Sequence, residues 1–208
     1  VEARRVVDAA IDHILHRPED SLGIVTLNIK QRDLVSELLE ERLRSIPQAA
    51  DFIQKWESEG MGLFVKNLEN VQGEERDTIL FSVAFSVNDK GVLPLNFGPL
   101  SLPGGERRLN VAVTRARRQV ILFASFDPEQ LRAEQTNSYG VKHLRAYLEL
   151  AARGVESTTD EGRRSQSIDR HRDEIADELR TRGYAVRTDV GLSDFRIDLS
   201  VADSSTPD

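Results

Sequence analysis

The sequence predicts an α/β domain built on a mostly parallel sheet flanked by helices. Three observations carry this. Short apolar runs at residues 24–27, 63–65, 78–85 and 119–125 have the length and residue types of buried strands. Between them lie segments with apolar residues at helical spacing. Strand and helix alternate along the chain, as the crossovers of a parallel sheet require.

The elements follow in order. Residues 1–16 read as a helix with Val6, Val7, Ala10, Ile14 and Leu15 on one face, broken by Arg17-Pro18. After the first strand, residues 31–43 form an amphipathic helix with Leu34, Leu38 and Leu39 on one side. Residues 47–57 make a short helix before the second strand. A polar loop at 67–73 leads into the central strand, and a Gly- and Pro-rich excursion spans 88–103. Residues 106–117 carry Leu109, Ala112, Val113 and Ala116 at helical spacing and precede the last strand. Asp127-Pro128 starts a further helix, with Asp127 as its cap, and 139–152 is helical again.

The first domain is therefore expected at 1–152. Residues 153–166 are polar and aperiodic and read as a linker. Residues 167–208 form a smaller α+β segment, with a helix at 168–182 closed by Gly183 and strands at 184–187 and 195–201. Two strands and a helix cannot bury a core alone, so this segment reads as the truncated start of a domain.

Composition narrows the function. Of 208 residues, 39% are hydrophobic and 30% charged, ordinary for a globular protein. No apolar run can span a bilayer, and no signal peptide is seen, so a cytoplasmic location is expected. The chain has no cysteine, which excludes disulfides and thiolate zinc sites. A net charge of −7 excludes a generally basic nucleic-acid binder. Arginines nevertheless cluster at 107, 108, 115, 117 and 118, and polyanion chemistry is expected there.

Three segments can carry chemistry. In the first, a strand delivers Thr26 and Asn28 to its carboxyl end, and Gln31 sits in the next helix's first turn, where α/β sheets bind ligands. An ordinary strand–helix junction would look the same. In the second, Asn67 opens a loop containing Gln72, Gly73 and Glu75. Gly73 allows close backbone approach to a phosphate or sugar, and Glu75 suits a ribose hydroxyl. A solvated acidic loop is the alternative. In the third, Arg108 and Arg115 stand two turns apart on the predicted helix and share a face, with Asn110, Thr114 and Arg117 as an adjacent stripe. Guanidinium forks match phosphate oxygens, although a solvated basic face would also need such residues.

In this order the segments resemble motifs IV, V and VI of superfamily-1 helicases of the Upf-type branch. The match is closest for Arg-Arg-Leu-Asn-Val-Ala-Val-Thr-Arg-Ala-Arg at 107–117, then for Gln-Gly-Glu-Glu at 72–75, then for Thr-Leu-Asn-Ile-Lys-Gln at 26–31. The resemblance implies the second RecA-like domain of an ATP-dependent motor. Arg115 would be the arginine finger toward the γ-phosphate. Glu75, Gly73, Gln72 and Arg108 would meet the nucleotide, and Thr26, Asn28, Gln31 and Asn67 would line the same cleft or the path of a single strand, DNA ahead of RNA. ATP and Mg²⁺ would be held mainly by a first RecA-like domain, because this chain has no Gly-x-x-x-x-Gly-Lys-Ser/Thr segment. The chain alone is then expected to be inactive. The tail is similar to the opening of very-short-patch-repair-type nucleases of the PD-(D/E)XK group, which implies a divalent-metal role for Asp198 in an incomplete site. The competing reading is a nucleic-acid-binding or interaction module of a repair or restriction nuclease, without nucleotide turnover of its own.

Overall fold

A computed structural model describes residues 1–153, 170–192 and 195–202. The chain divides into two compact units, Val1–Arg145 and Ala146–Asp208. The expected linker at 153–166 lies outside the described residues apart from Arg153.

The first unit is the expected parallel α/β domain. Its strands are β1 (Leu22–Thr26), β2 (Phe64–Asn67), β3 (Arg76–Ser82) and β4 (Ala116–Phe123), in the order β2-β1-β3-β4. All pairings are parallel. Helices α1 (Glu2–His16), α2 (Ile29–Leu43) and α3 (Pro47–Ser58) share a core with Leu22, Ile24 and Leu80. Side chains alternate across a strand, so Ile79 and Phe81 face the opposite side, where both are fully buried. Both faces of the central strand are thus dry, which explains its nearly continuous apolar run.

On α1, Val6, Val7, Ala10 and Ile14 are buried as the spacing predicts, but Leu15 is 40% exposed. On α2 the buried residues are Val35 and Leu39, while Leu34 is 45% exposed. Its apolar stripe is therefore rotated by one residue from the one expected. The cap sets the start of this helix: Asn28 Oδ1 accepts from the Gln31 N–H at 2.8 Å.

The arginine-rich segment departs most from expectation. Helix α4 (Gly105–Val113) stops four residues early, and β4 starts at Ala116. Arg115 therefore sits in the turn between them, and Arg117 lies on the strand. The predicted shared helical face of Arg108 and Arg115 does not exist, nor does the stripe ending at Arg117. Strand pairing overrides helical spacing here, since Ala116 pairs with Arg76 and Gln119 with Thr78. Three steps on β4 oppose two on β3, so the strand bulges at Arg117 and Arg118.

Asp127 does cap a helical turn, but a short 3₁₀ one (Pro128–Gln130). Helix α5 runs Tyr139–Arg153.

In the second unit, α6 (Arg170–Thr181) precedes an antiparallel hairpin of β5 (Ala185–Leu192) and β6 (Phe195–Ala202). Asp198 lies in β6; its side chain is outside the described residues.

Candidate nucleotide and nucleic-acid edges

The candidate residues separate into two groups at opposite ends of the sheet. The seven residues of β3 keep them about 20 Å apart along the strand.

At the amino end are Gln72, Gly73, Glu75 and Arg115. Gly73 has φ of 85°, and nothing lies within 4 Å of where a Cβ would stand. A left-handed backbone facing open space lets another group approach the main chain. Gln72 is exposed. Glu75 is half-exposed, 3.5 Å from Arg117 Nε, and a pair this wet contributes little. Its carboxylate is held loosely and stays available.

The backbone of Glu75 is held more firmly, by the buried Arg76. That guanidinium donates to the Glu75 carbonyl at 2.6 Å and twice to Gly62 O, and it lies 4.8 Å over the Phe64 ring. Burial pushes its pKa down, while Glu74 at 3.3 Å works against this. Glu74 is itself held below the usual carboxylate range, first by its hydrogen bond from Lys66 and then by Arg76, against the effect of burial.

Arg115 is half-buried. Its Nε donates to Val111 O at 2.8 Å, and Nη2 reaches Thr114 Oγ1 at 3.4 Å. The remaining guanidinium nitrogen, Nη1, has no partner among the described residues. The cluster sorts itself: Arg107 approaches Glu106, Arg117 approaches Glu75, and Arg118 approaches Asp20 and Asp77. Arg108 and Arg115 have no carboxylate partner among the described residues. Arg108 Nη1 instead donates to the carbonyls of Pro99 and Pro103, each at 3.3 Å, at the start of α4. The structure does not bring Arg108 and Arg115 together on one helical face.

At the carboxyl end, Thr26 pairs in register with Asn67 on one side and Ser82 on the other. Beside them a cleft of about 450 Å³ is lined by Leu27, Asn28, Lys30, Gln31, Asn67 and Glu69, among others. Thr26 is fully buried, and its hydroxyl donates to Asn28 O. It shapes the cleft without opening onto it. Asn28 spends its amide on capping α2 and on the Ala84 carbonyl, 3.4 Å away. Gln31 Nε2 donates to Ser82 Oγ at 3.0 Å. Asn67 is 2% exposed, and its Oδ1 has no hydrogen-bond partner. A buried unpaired amide oxygen costs about 1–3 kcal/mol, so it needs an explanation.

Sequence reasoning missed several residues that support these sites. Asp77 ties the amino ends of β1 and β3 by accepting from the Ser21 N–H and hydroxyl at 2.9 and 2.7 Å. Glu2 and Ser82 hold the carboxyl end. Such residues leave no local signal, because their partners are 56 to 123 positions away.

The fold and its two polar edges define a parallel α/β domain with clusters of polar side chains at both ends of one sheet. The chain belongs to the AAA domain family, whose model matches residues 1–127. It is 41% identical over 130 residues to an uncharacterized ATP-dependent helicase of Mycoplasma genitalium, covering 62% of this chain and 11% of that protein. Its homolog in Mycoplasma pneumoniae is 37% identical over 157 residues, covering 71% and 13%. The chain thus spans only about an eighth of the length of these curated relatives.

Proposed function

We propose that this chain is the second RecA-like motor domain of an ATP-dependent superfamily-1 helicase. The observation that carries the reading is the state of Arg115: a half-buried guanidinium with no carboxylate partner among the described residues, at the same sheet edge as Glu75 and Gly73. Arg115 acts as the arginine finger, placing positive charge where the transferring phosphoryl group becomes negative. Glu75 accepts from the ribose, Gln72 and Gly73 line the approach of the nucleotide, and Arg108 holds the start of α4 while remaining within the same basic segment. The open space at Gly73 leaves room for a sugar or phosphate to approach the main chain.

Among the described residues, no group of three or more His, Cys, Asp or Glu could hold a metal ion. In this reading Mg²⁺ and the triphosphate belong mainly to a first motor domain, because this chain carries no Gly-x-x-x-x-Gly-Lys-Ser/Thr segment, and the chain alone does not turn over ATP. The carboxyl edge takes a single strand, DNA ahead of RNA, through the cleft beside α2. The likeness to proteins named as ATP-dependent helicases, over 130 residues in one and 157 in the other, supports this reading. The domain divisions at 152 and 166, a cytoplasmic location, and a metal-binding role for Asp198 in a nuclease-like segment belong to the same proposal. Among the described residues no helix is long and apolar enough to cross a membrane.

The test is ATP hydrolysis and strand separation by the full-length protein, with and without single-stranded DNA. Strand-stimulated hydrolysis is expected. Hydrolysis indifferent to any nucleic acid contradicts the reading.

A further inference from the structure

Glu2 starts α1 with its side chain turned inward, 9% exposed. Its Oε1 accepts from Ser82 Oγ at 2.6 Å and from the Ala84 N–H at 2.8 Å, and its Oε2 accepts from Ser125 Oγ at 2.7 Å. One carboxylate thus binds the carboxyl ends of β3 and β4 to the first helix.

A carboxylate offers only acceptor sites, so all three neighbours must donate. Ser82 has a single hydroxyl proton, and Glu2 takes it. Where Ser82 Oγ meets the Gln31 side chain at 3.0 Å, it can then only accept. Gln31 must place its NH₂ group on Ser82, which leaves its Oε1 for the cleft that it lines. The Ala84 N–H bond works in the same direction. It holds Ala84 at a left-handed φ of 60°, from which the Ala84 carbonyl accepts from Asn28 Nδ2, and Asn28 in turn caps α2 at Gln31. The orientation of both cleft amides therefore traces back to one acid. Asn67, whose buried Oδ1 is unpaired, lines the same cleft.

We infer that Glu2 is a positioning residue for this cleft. By claiming the Ser82 proton it turns the Gln31 amide oxygen toward the ligand, so that this position takes a hydrogen-bond donor of the nucleic acid. The donor is an N–H of a base edge or a sugar hydroxyl; a phosphate oxygen, an acceptor, is refused there. This rests on the nucleic-acid reading of the cleft proposed above.

The experiment measures binding of the full-length protein to oligo-dT, an abasic deoxyribose strand, oligo-rU and 2′-fluoro oligo-U by fluorescence anisotropy. Glu2→Gln keeps an amide oxygen toward Ser82 and Ala84 and should bind as the unaltered protein does. Glu2→Val releases the Ser82 proton and lets Gln31 turn. A loss of roughly five- to tenfold is expected on strands that carry the donor. Gln31→Met, a change at a half-exposed side chain that leaves the core intact, should show the same loss. Loss on oligo-dT but not on the abasic strand identifies a base N–H. Loss on oligo-rU alone identifies the sugar hydroxyl. Equal loss on the abasic strand, equal weakening by Glu2→Gln and Glu2→Val, or unchanged binding by Gln31→Met overturns the inference alone. If no strand binds, or if Lys30→Glu in the same cleft changes nothing, the nucleic-acid reading falls and the inference with it.

Discussion

The main-chain N–H of Arg76 donates to the carbonyl of Arg115 at 3.0 Å. This bond joins the start of β3 to the turn between α4 and β4. It also places Glu75, one residue before Arg76, beside the residue that would touch the γ-phosphate. Two groups 40 positions apart in sequence are thereby held by main chain rather than by flexible side chains.

Asn67→Leu should separate stability from binding. The substitution removes a buried amide whose Oδ1 is unpaired. Losing such a group costs the fold nothing in hydrogen bonds, so thermal melting should hold or rise, by up to about 1 kcal/mol. Single-strand binding should fall. Unchanged binding would show that Asn67 is merely an unsatisfied residue of the sheet edge.

The amino edge should give the domain an acid-sensitive component. Burial works to raise the pKa of Asp77, but the hydrogen bonds from Ser21 and the Arg118 charge outweigh it and hold the group below its ordinary value. Glu74 is lowered as well. A carboxylate with a depressed folded pKa adds stability above its unfolded value, about 4, and loses it as pH falls through the folded one. The melting temperature of Asp77→Asn should therefore lie below that of the unaltered protein near neutral pH, and the gap should narrow as the pH falls below the unfolded-state value of about 4. A gap independent of pH would contradict this.

Gly105→Ala should destabilise strongly. A Cβ there would stand 1.9 Å from Leu100 O, which is main chain and cannot swing away. Gly140 meets the same carbonyl at 2.2 Å. The substitution should cost at least about 2 kcal/mol by urea or thermal unfolding. A neutral result would mean that the segment at Gly98–Ser101 moves freely against α4.

Much of this fold was legible because burial on both faces leaves a strong mark. The apolar runs of β1 and β3 and the facing residues of α1 could be read directly. The end of α4 could not. Leu109, Ala112, Val113 and Ala116 keep helical spacing, yet Ala116 is taken into β4 by its pairing with Arg76, a contact invisible in the local pattern. Leu34 has the spacing of a core residue, but its neighbour Val35 fills that place. At the site, residue types and order pointed to both polar segments. That they occupy opposite ends of the sheet depends on the path of residues 68–75, which run from the carboxyl end of β2 back to the amino end of β3. Glu2 had no signal beyond an acid in a first helical turn.

ATP turnover of the full-length protein with Arg115→Ala decides whether Arg115 is the arginine finger. Locally, Arg115 donates to one carbonyl in the last turn of α4, that of Val111, a contact worth roughly 0.3–1 kcal/mol to stability. So small a change cannot abolish activity. Turnover should fall by about a thousandfold or more, with nucleotide binding and melting temperature nearly retained. Turnover within a few-fold of the unaltered protein would contradict that role and leave Arg115 as a helix-capping residue alone.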